Sequence, residues 1–104
     1  MLKVYGSKMC PDCRACKINF EANGIDFTFI DINENLHNLA EFLMLRDTQP
    51  VFEKWKAVGD IGIPGIVGED GTVFTDWESY LSEKGLPIVY EESAPSCSIT
   101  GKGC

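Results

Sequence analysis

Tyr5-Gly6-Ser7-Lys8-Met9-Cys10-Pro11-Asp12-Cys13 is the stretch on which the fold turns. Pro11 suits the first turn of a helix, where its missing N–H would have no partner anyway. That places Cys10 at the N-cap and predicts a helix over residues 11–23, with Cys13, Cys16 and Phe20 on one face. Before it, Leu2-Lys3-Val4-Tyr5-Gly6 reads as a strand, and residues 6–9 as the loop between. After it, Asn23-Gly24 is a stop signal. Residues 26–32 are aromatic and β-branched, which predicts a second strand. Strand, helix and strand imply a parallel pair with a right-handed crossover.

The rest of the chain extends this unit. Asn33-Glu34-Asn35 is a cap cluster, and Leu36, Leu39, Ala40 and Leu43 carry the spacing of an amphipathic helix. Pro50 ends that helix before it and opens a short one over 51–56, closed by Gly59. Pro64 to Gly68 is a brief apolar run, Glu69-Asp70-Gly71 a hairpin turn of type I′, and 72–74 the returning strand. Thr75-x-x-Glu78 reads as a capping box for a last helix to about residue 84, stopped by Gly85. The order is β-α-β-α-β-β-α, an α/β fold with one mixed four-stranded sheet and helices on both faces. Residues 1–86 form the domain. Residues 87–104 form a C-terminal extension, in which 87–90 fit an edge strand and 93–104 are small and polar.

Composition narrows the function. The chain has 104 residues and a formal charge of −7, from 9 Lys+Arg against 16 Asp+Glu. Binding nucleic acid requires neutralising phosphates, so this balance excludes it. No apolar run approaches the ~18–20 residues that span a bilayer, and no signal peptide is visible. A cytoplasmic protein is expected. The five cysteines, Cys10, Cys13, Cys16, Cys97 and Cys104, are odd in number and cannot all pair within one chain. In a reducing compartment such grouped thiols point to redox or metal chemistry rather than a scaffold.

The Cys10-Pro11-Asp12-Cys13 segment carries the chemistry. The nucleophile of thiol–disulfide exchange is a thiolate, and a helix N-terminus lowers a thiol's pKa through unpaired N–H groups and the dipole. Cys10 is the expected nucleophile and Cys13, one turn in, the resolving thiol. Lys8 favours the Cys10 thiolate and Asp12 opposes it. Structural zinc wants two paired knuckles; Cys97 and Cys104 are spaced C-x6-C, so no metal site is assigned. Cys16 reads as a core thiol, with a third redox or metal ligand as the alternative. His37 reads as a surface residue, Arg46-Asp47 as a surface pair, and Trp55 and Trp77 as packing residues, with the flanks of a groove as the alternative.

The Cys10–Cys13 segment, the elements after it and the Gly62-Ile63-Pro64 triplet resemble the glutaredoxins over roughly residues 2–84. The resemblance implies a thioredoxin-like fold of glutaredoxin type and a cis Ile63–Pro64 bond beside the cysteines, with the Ile63 backbone offered to substrate. It also implies a small dithiol oxidoreductase acting on protein disulfides or glutathione mixed disulfides. Lys8, Pro11, Asp12, Ile63, Pro64, Thr75 and Asp76 are the corresponding binding residues. The sequence departs from the family pattern in three places. Asp12 stands where an aromatic residue is usual, Ser7 where a basic one is, and Thr72-Val73-Phe74 where a Gly-Gly precedes the acidic residue matched by Asp76. The electron donor is then either glutathione or a reductase of the thioredoxin-reductase type, with no bound cofactor and a monomeric chain. Cys97 and Cys104 fit an accessory redox pair, a metal-binding tail or a disordered appendage with neither role. Two alternatives to the oxidoreductase follow: a metal or Fe–S binding module, and a redox-sensing regulator.

Overall fold

The structure is a computed structural model that describes residues 1–89. Its elements are β1 (Leu2–Gly6), α1 (Pro11–Ala22), β2 (Phe27–Asp31), α2 (Leu36–Thr48), a 3-10 turn (Pro50–Phe52), α3 (Glu53–Ala57), β3 (Gly65–Val67), β4 (Val73–Phe74) and α4 (Trp77–Glu83). The strands form one sheet in the order β2-β1-β3-β4. β1 runs parallel to β2, with Val4 opposite Phe29, while β3 is antiparallel to both β1 and β4. This is the mixed α/β sheet of a thioredoxin-like fold.

Strand alternation sorts the core into two layers. Leu2 and Val4 of β1 and Ile66 of β3 join Cys16 and Phe20 of α1 and Trp77 and Leu81 of α4. Tyr5 and Ile32 join Phe42 of α2 and Phe52, with Ile30, Val67 and Val73 packed beside them. Helices α1 and α4 therefore cover one face, and α2 with α3 the other. In the first layer Phe20 meets Phe27 edge-on, with centroids 5.6 Å apart. In the second, Phe42 meets Phe52 at 5.7 Å and 90°. Both are favoured aromatic geometries.

Four local expectations are corrected. Helix α2 buries Phe42 and packs Leu39 and Leu45, whereas Leu36 is 81% exposed and Leu43 39%. The helix has apolar residues around much of its circumference, and the sheet takes the side that carries the aromatic ring. The β3–β4 hairpin is not type I′. Gly68 N–H donates to Thr72 O and Gly71 N–H to Gly68 O, so the loop is three residues long. Only Gly71 within it takes positive φ, at 89°. This is a turn with a following left-handed glycine, the next commonest hairpin solution.

The last helix is capped by Asp76, not Thr75, and starts at Trp77; the Asp76 carboxylate accepts from Ser79 N–H at 3.0 Å. Finally, 87–89 form no strand. Ile88 packs on the first core layer, and Val89 exchanges two hydrogen bonds with buried Asn19, N–H to Oδ1 at 2.6 Å and Nδ2 to O at 2.7 Å. A buried amide needs such partners, and the chain passing over α1 supplies them. Cys97 and Cys104, and most of the expected extension, lie outside the described residues.

Candidate active site

Cys10 is the N-cap of α1, with extended backbone (φ −93°, ψ 119°), and its sulfur accepts from Cys13 N–H at 3.3 Å. The loop before it is fixed by buried Ser7. Ser7 O accepts from Cys10 N–H at 3.1 Å and its hydroxyl oxygen accepts from Met9 N–H at 3.1 Å, while the same hydroxyl donates to Asn33. Cys10 is half-buried, with its sulfur toward the open N-terminal turn; Cys13 and Cys16 are fully buried.

This placement sets the thiols apart chemically. The Cys10 pKa is lowered to about 6, first by the Cys13 thiol as donor and then by the backbone N–H groups of Cys13 and Asp12; burial and the Asp12 charge oppose this. Cys13 is pushed well up, because it donates to the Cys10 thiolate and is desolvated. Cys16 is also pushed up, mainly by burial. One thiol of the three is thus ready to ionise near neutral pH, and Cys16 has the environment of an inert core thiol.

Cys13 fits against β1 only because Gly6 lacks a side chain. A Cβ there would stand 2.9 Å from Cys13 Sγ and 3.2 Å from the Phe29 ring. Gly6→Ala is expected to destabilise the reduced protein by about 1–3 kcal/mol through overpacking. A thermal melt matching that of the unsubstituted protein would show that the strand yields more easily than this contact implies.

A groove of about 380 Å³ opens beside Cys10. Pro11 and Asp12 form one wall; Asp60, Ile61, Gly62, Ile63 and Pro64 form the other, with Trp55 and Thr75 completing it. The Ile63–Pro64 bond is cis, and Gly62 before it takes φ 95°, with the Phe52 ring 3.0 Å from where a Cβ would be. Arg46 of α2 holds this wall from behind, through Nε to Ile61 O at 2.9 Å and Nη2 to Asp60 O at 2.6 Å. It is therefore a loop clamp and not half of a surface pair with Asp47. Trp55 Nε1 reaches Thr75 Oγ1 at 3.4 Å. On the opposite wall, Asp12 Oδ1 accepts from the indole N–H of buried Trp77 at 3.0 Å. Partial burial raises the Asp12 pKa; the Trp77 bond lowers it, and the charges of Glu78 and Asp76 raise it further.

Of the residues expected to bind substrate, the groove brings together Pro11, Asp12, Ile63, Pro64 and Thr75 with Cys10. Lys8 is exposed and contributes its backbone carbonyl, which accepts from Arg14 Nη1 at 2.9 Å. Asp76 caps α4 and lines a separate cavity of about 630 Å³ with Tyr80, Glu69 and Glu83. The sequence reading missed Ser7, Arg46, Asp60 and Ile61 as site residues. Trp55 and Trp77 both pack on the core, as expected, and Trp55 also lines the groove while the Trp77 indole anchors Asp12. The roles of Arg46, Trp55 and Trp77 rest on contacts between distant parts of the chain; the local signals are the place of Ser7 in the Tyr5–Cys13 segment and the closeness of Asp60 and Ile61 to the Gly62-Ile63-Pro64 triplet.

The comparisons with known proteins agree with the geometry. The family model for glutaredoxin matches residues 2–51. An uncharacterized protein of Haemophilus influenzae is 32% identical over 73 residues, covering 70% of this chain and 85% of that one. The fold is also similar to the structure of an epsilon-class glutathione S-transferase from the housefly, Musca domestica, with a TM-score of 0.52 and 22% identity over 97% of this chain. The present chain spans 44% of that protein's length.

Proposed function

The chain is related to the glutaredoxins, whose family model matches residues 2–51, and from that premise we propose that it is a dithiol oxidoreductase in which Cys10 attacks and Cys13 resolves. The observation that carries this reading is the asymmetry of the pair. Cys10 has its pKa lowered to about 6 beside an open groove, whereas Cys13 is buried behind it and donates to it. The Cys10 thiolate attacks one sulfur of a substrate disulfide. A Cys10–substrate disulfide forms, and the other substrate sulfur leaves as a thiolate that takes a proton. Cys13 then loses its proton and attacks Cys10 Sγ. The Cys10–Cys13 disulfide forms and the second substrate thiol departs. In sum, the dithiol loses two electrons and two protons, and the substrate disulfide becomes two thiols.

An external thiol, either glutathione or a reductase dithiol, returns the site to its reduced form. Protein disulfides or glutathione mixed disulfides are the substrates in this reading, and a reducing compartment such as the cytoplasm suits it. No helix among the described residues is long and apolar enough to cross a membrane.

The test is a trap. Cys13→Ser, mixed with 2-hydroxyethyl disulfide, is expected to accumulate one adduct, placed on the Cys10 peptide by mass spectrometry. Cys10→Ser is expected to reduce no disulfide above the uncatalysed background. Unimpaired turnover by Cys10→Ser, or an adduct on another cysteine, removes the assignment.

A further inference from the structure

We propose that the groove selects disulfides with positive charge beside the sulfur, in particular a polypeptide segment with Lys or Arg next to its disulfide, over anionic ones such as glutathione disulfide. The inference rests on the oxidoreductase reading above and names its substrate class.

Three observations carry it. First, the ionisable side chains lining the groove are Cys10, Asp12 and Asp60, and none of the described residues lining it is Lys or Arg. Second, both carboxylates are held in place. Asp12 is tied to the buried Trp77 indole, and Asp60 Oδ1 accepts from Gly62 N–H at 3.2 Å, two residues before the cis proline. A fixed charge discriminates between substrates better than one that swings into solvent. Third, the surroundings reinforce the sign. Glu78 and Asp76 act on Asp12 from α4. Of the nearby cations, Lys54 Nζ lies over the Trp55 ring, 5.1 Å from its centroid, and its charge acts on Asp76. Arg46 is held by the backbone carbonyls of Asp60 and Ile61, and Lys8 is exposed and does not line the groove.

The rim adds an apolar element. Ile61, which lines the groove, is 52% exposed. A peptide has the side chains to cover it, which a small anionic thiol lacks.

Three small disulfides of similar size test the charge ranking: cystamine (dicationic), 2-hydroxyethyl disulfide (neutral) and dithiodiglycolate (dianionic). Their second-order rate constants with the reduced full chain are divided by those with dithiothreitol, which removes intrinsic reactivity. The expected order is cationic, neutral, anionic, with about a tenfold spread or more at low ionic strength that shrinks markedly in about 0.5 M salt. Asp12→Asn/Asp60→Asn is expected to bring the spread within about threefold. The control Glu21→Gln/Glu83→Gln, with the same change in net charge away from the groove, is expected to keep it.

Equal normalised rates for the unsubstituted protein, or a faster anionic disulfide, overturn the proposal, as does equal loss of spread in the control. If the double variant fails to fold, the salt series and Asp60→Asn alone decide. Failure to reduce any of the three disulfides instead defeats the oxidoreductase reading, and the charge proposal with it.

Discussion

Alkylation of Cys10 in the reduced protein, followed at its own peptide by mass spectrometry, is expected to titrate with a midpoint near pH 6, far below the ordinary 9.0 of a free thiol. At pH 7 about nine-tenths of Cys10 is then thiolate, against about one-hundredth for an unperturbed thiol. The gain in rate is smaller than that ratio suggests. Nucleophilicity falls with pKa, with a Brønsted slope of about 0.4–0.5, so a shift of this size returns much of the advantage and leaves about fourfold at pH 7. The midpoint is therefore the diagnostic quantity.

Asp12→Asn is expected to move that midpoint further down, because the Asp12 charge opposes the thiolate. The folded pKa lies below the unfolded value. Ionisation of Cys10 thus adds stability to the reduced protein that is fully present above pH 9 and is lost as pH falls through about 6. The same stabilisation favours the dithiol over the disulfide, which makes the pair more oxidising. A midpoint near 9 would show that the helix terminus and the Cys13 thiol do not act on Cys10 as the geometry implies.

The largest effect on stability is expected from Phe42→Ala. The ring is fully buried, meets Phe52 edge-on, and lies 6.4 Å from Tyr5, centroid to centroid. The backbone of Gly65 is drawn close to the same rings, since a Cβ there would be 3.1 Å from Phe52 and 3.2 Å from Phe42. Truncation removes the aromatic contacts and leaves a void that the sheet cannot collapse into, at a cost of about 3–5 kcal/mol. Urea unfolding should show the midpoint falling with little change in slope. A loss below about 1 kcal/mol would mean that α2 repacks over the sheet through its other apolar residues, of which Leu43 and Met44 are the nearest in sequence.

That possibility bears on what was legible. Helix α1 and its active-site cap were readable because every signal is local: Pro11 at N1, a thiol at the N-cap, Gly24 after the end. The mixed sheet followed from the parallel crossover and the Asp-Gly hairpin. The buried face of α2 was not readable from spacing, since Leu36/Leu39/Leu43 and Leu39/Phe42/Leu45 are both helical stripes, and only the opposing rings and Gly65 choose between them. The cap of α4 moved by one residue because Thr75 and Asp76 both offer a capping oxygen; Thr75 is buried beside Trp55 instead. The tie between Asp12 and Trp77 spans 65 positions, and the one between Asn19 and Val89 spans 70. No local pattern encodes such pairs.

The Arg46 clamp has a consequence for how the molecule would fail. Cys10 belongs to the layer built by α1 and α4, while the wall it faces is braced by α2 of the opposite layer. If α2 and α3 loosen under mild denaturant before the sheet does, Cys10 keeps its N-cap and its reactivity while the opposite wall is lost. Thiol modification and catalytic turnover would then part company along the denaturation curve, with turnover going first. Labelling experiments alone would count such molecules as intact.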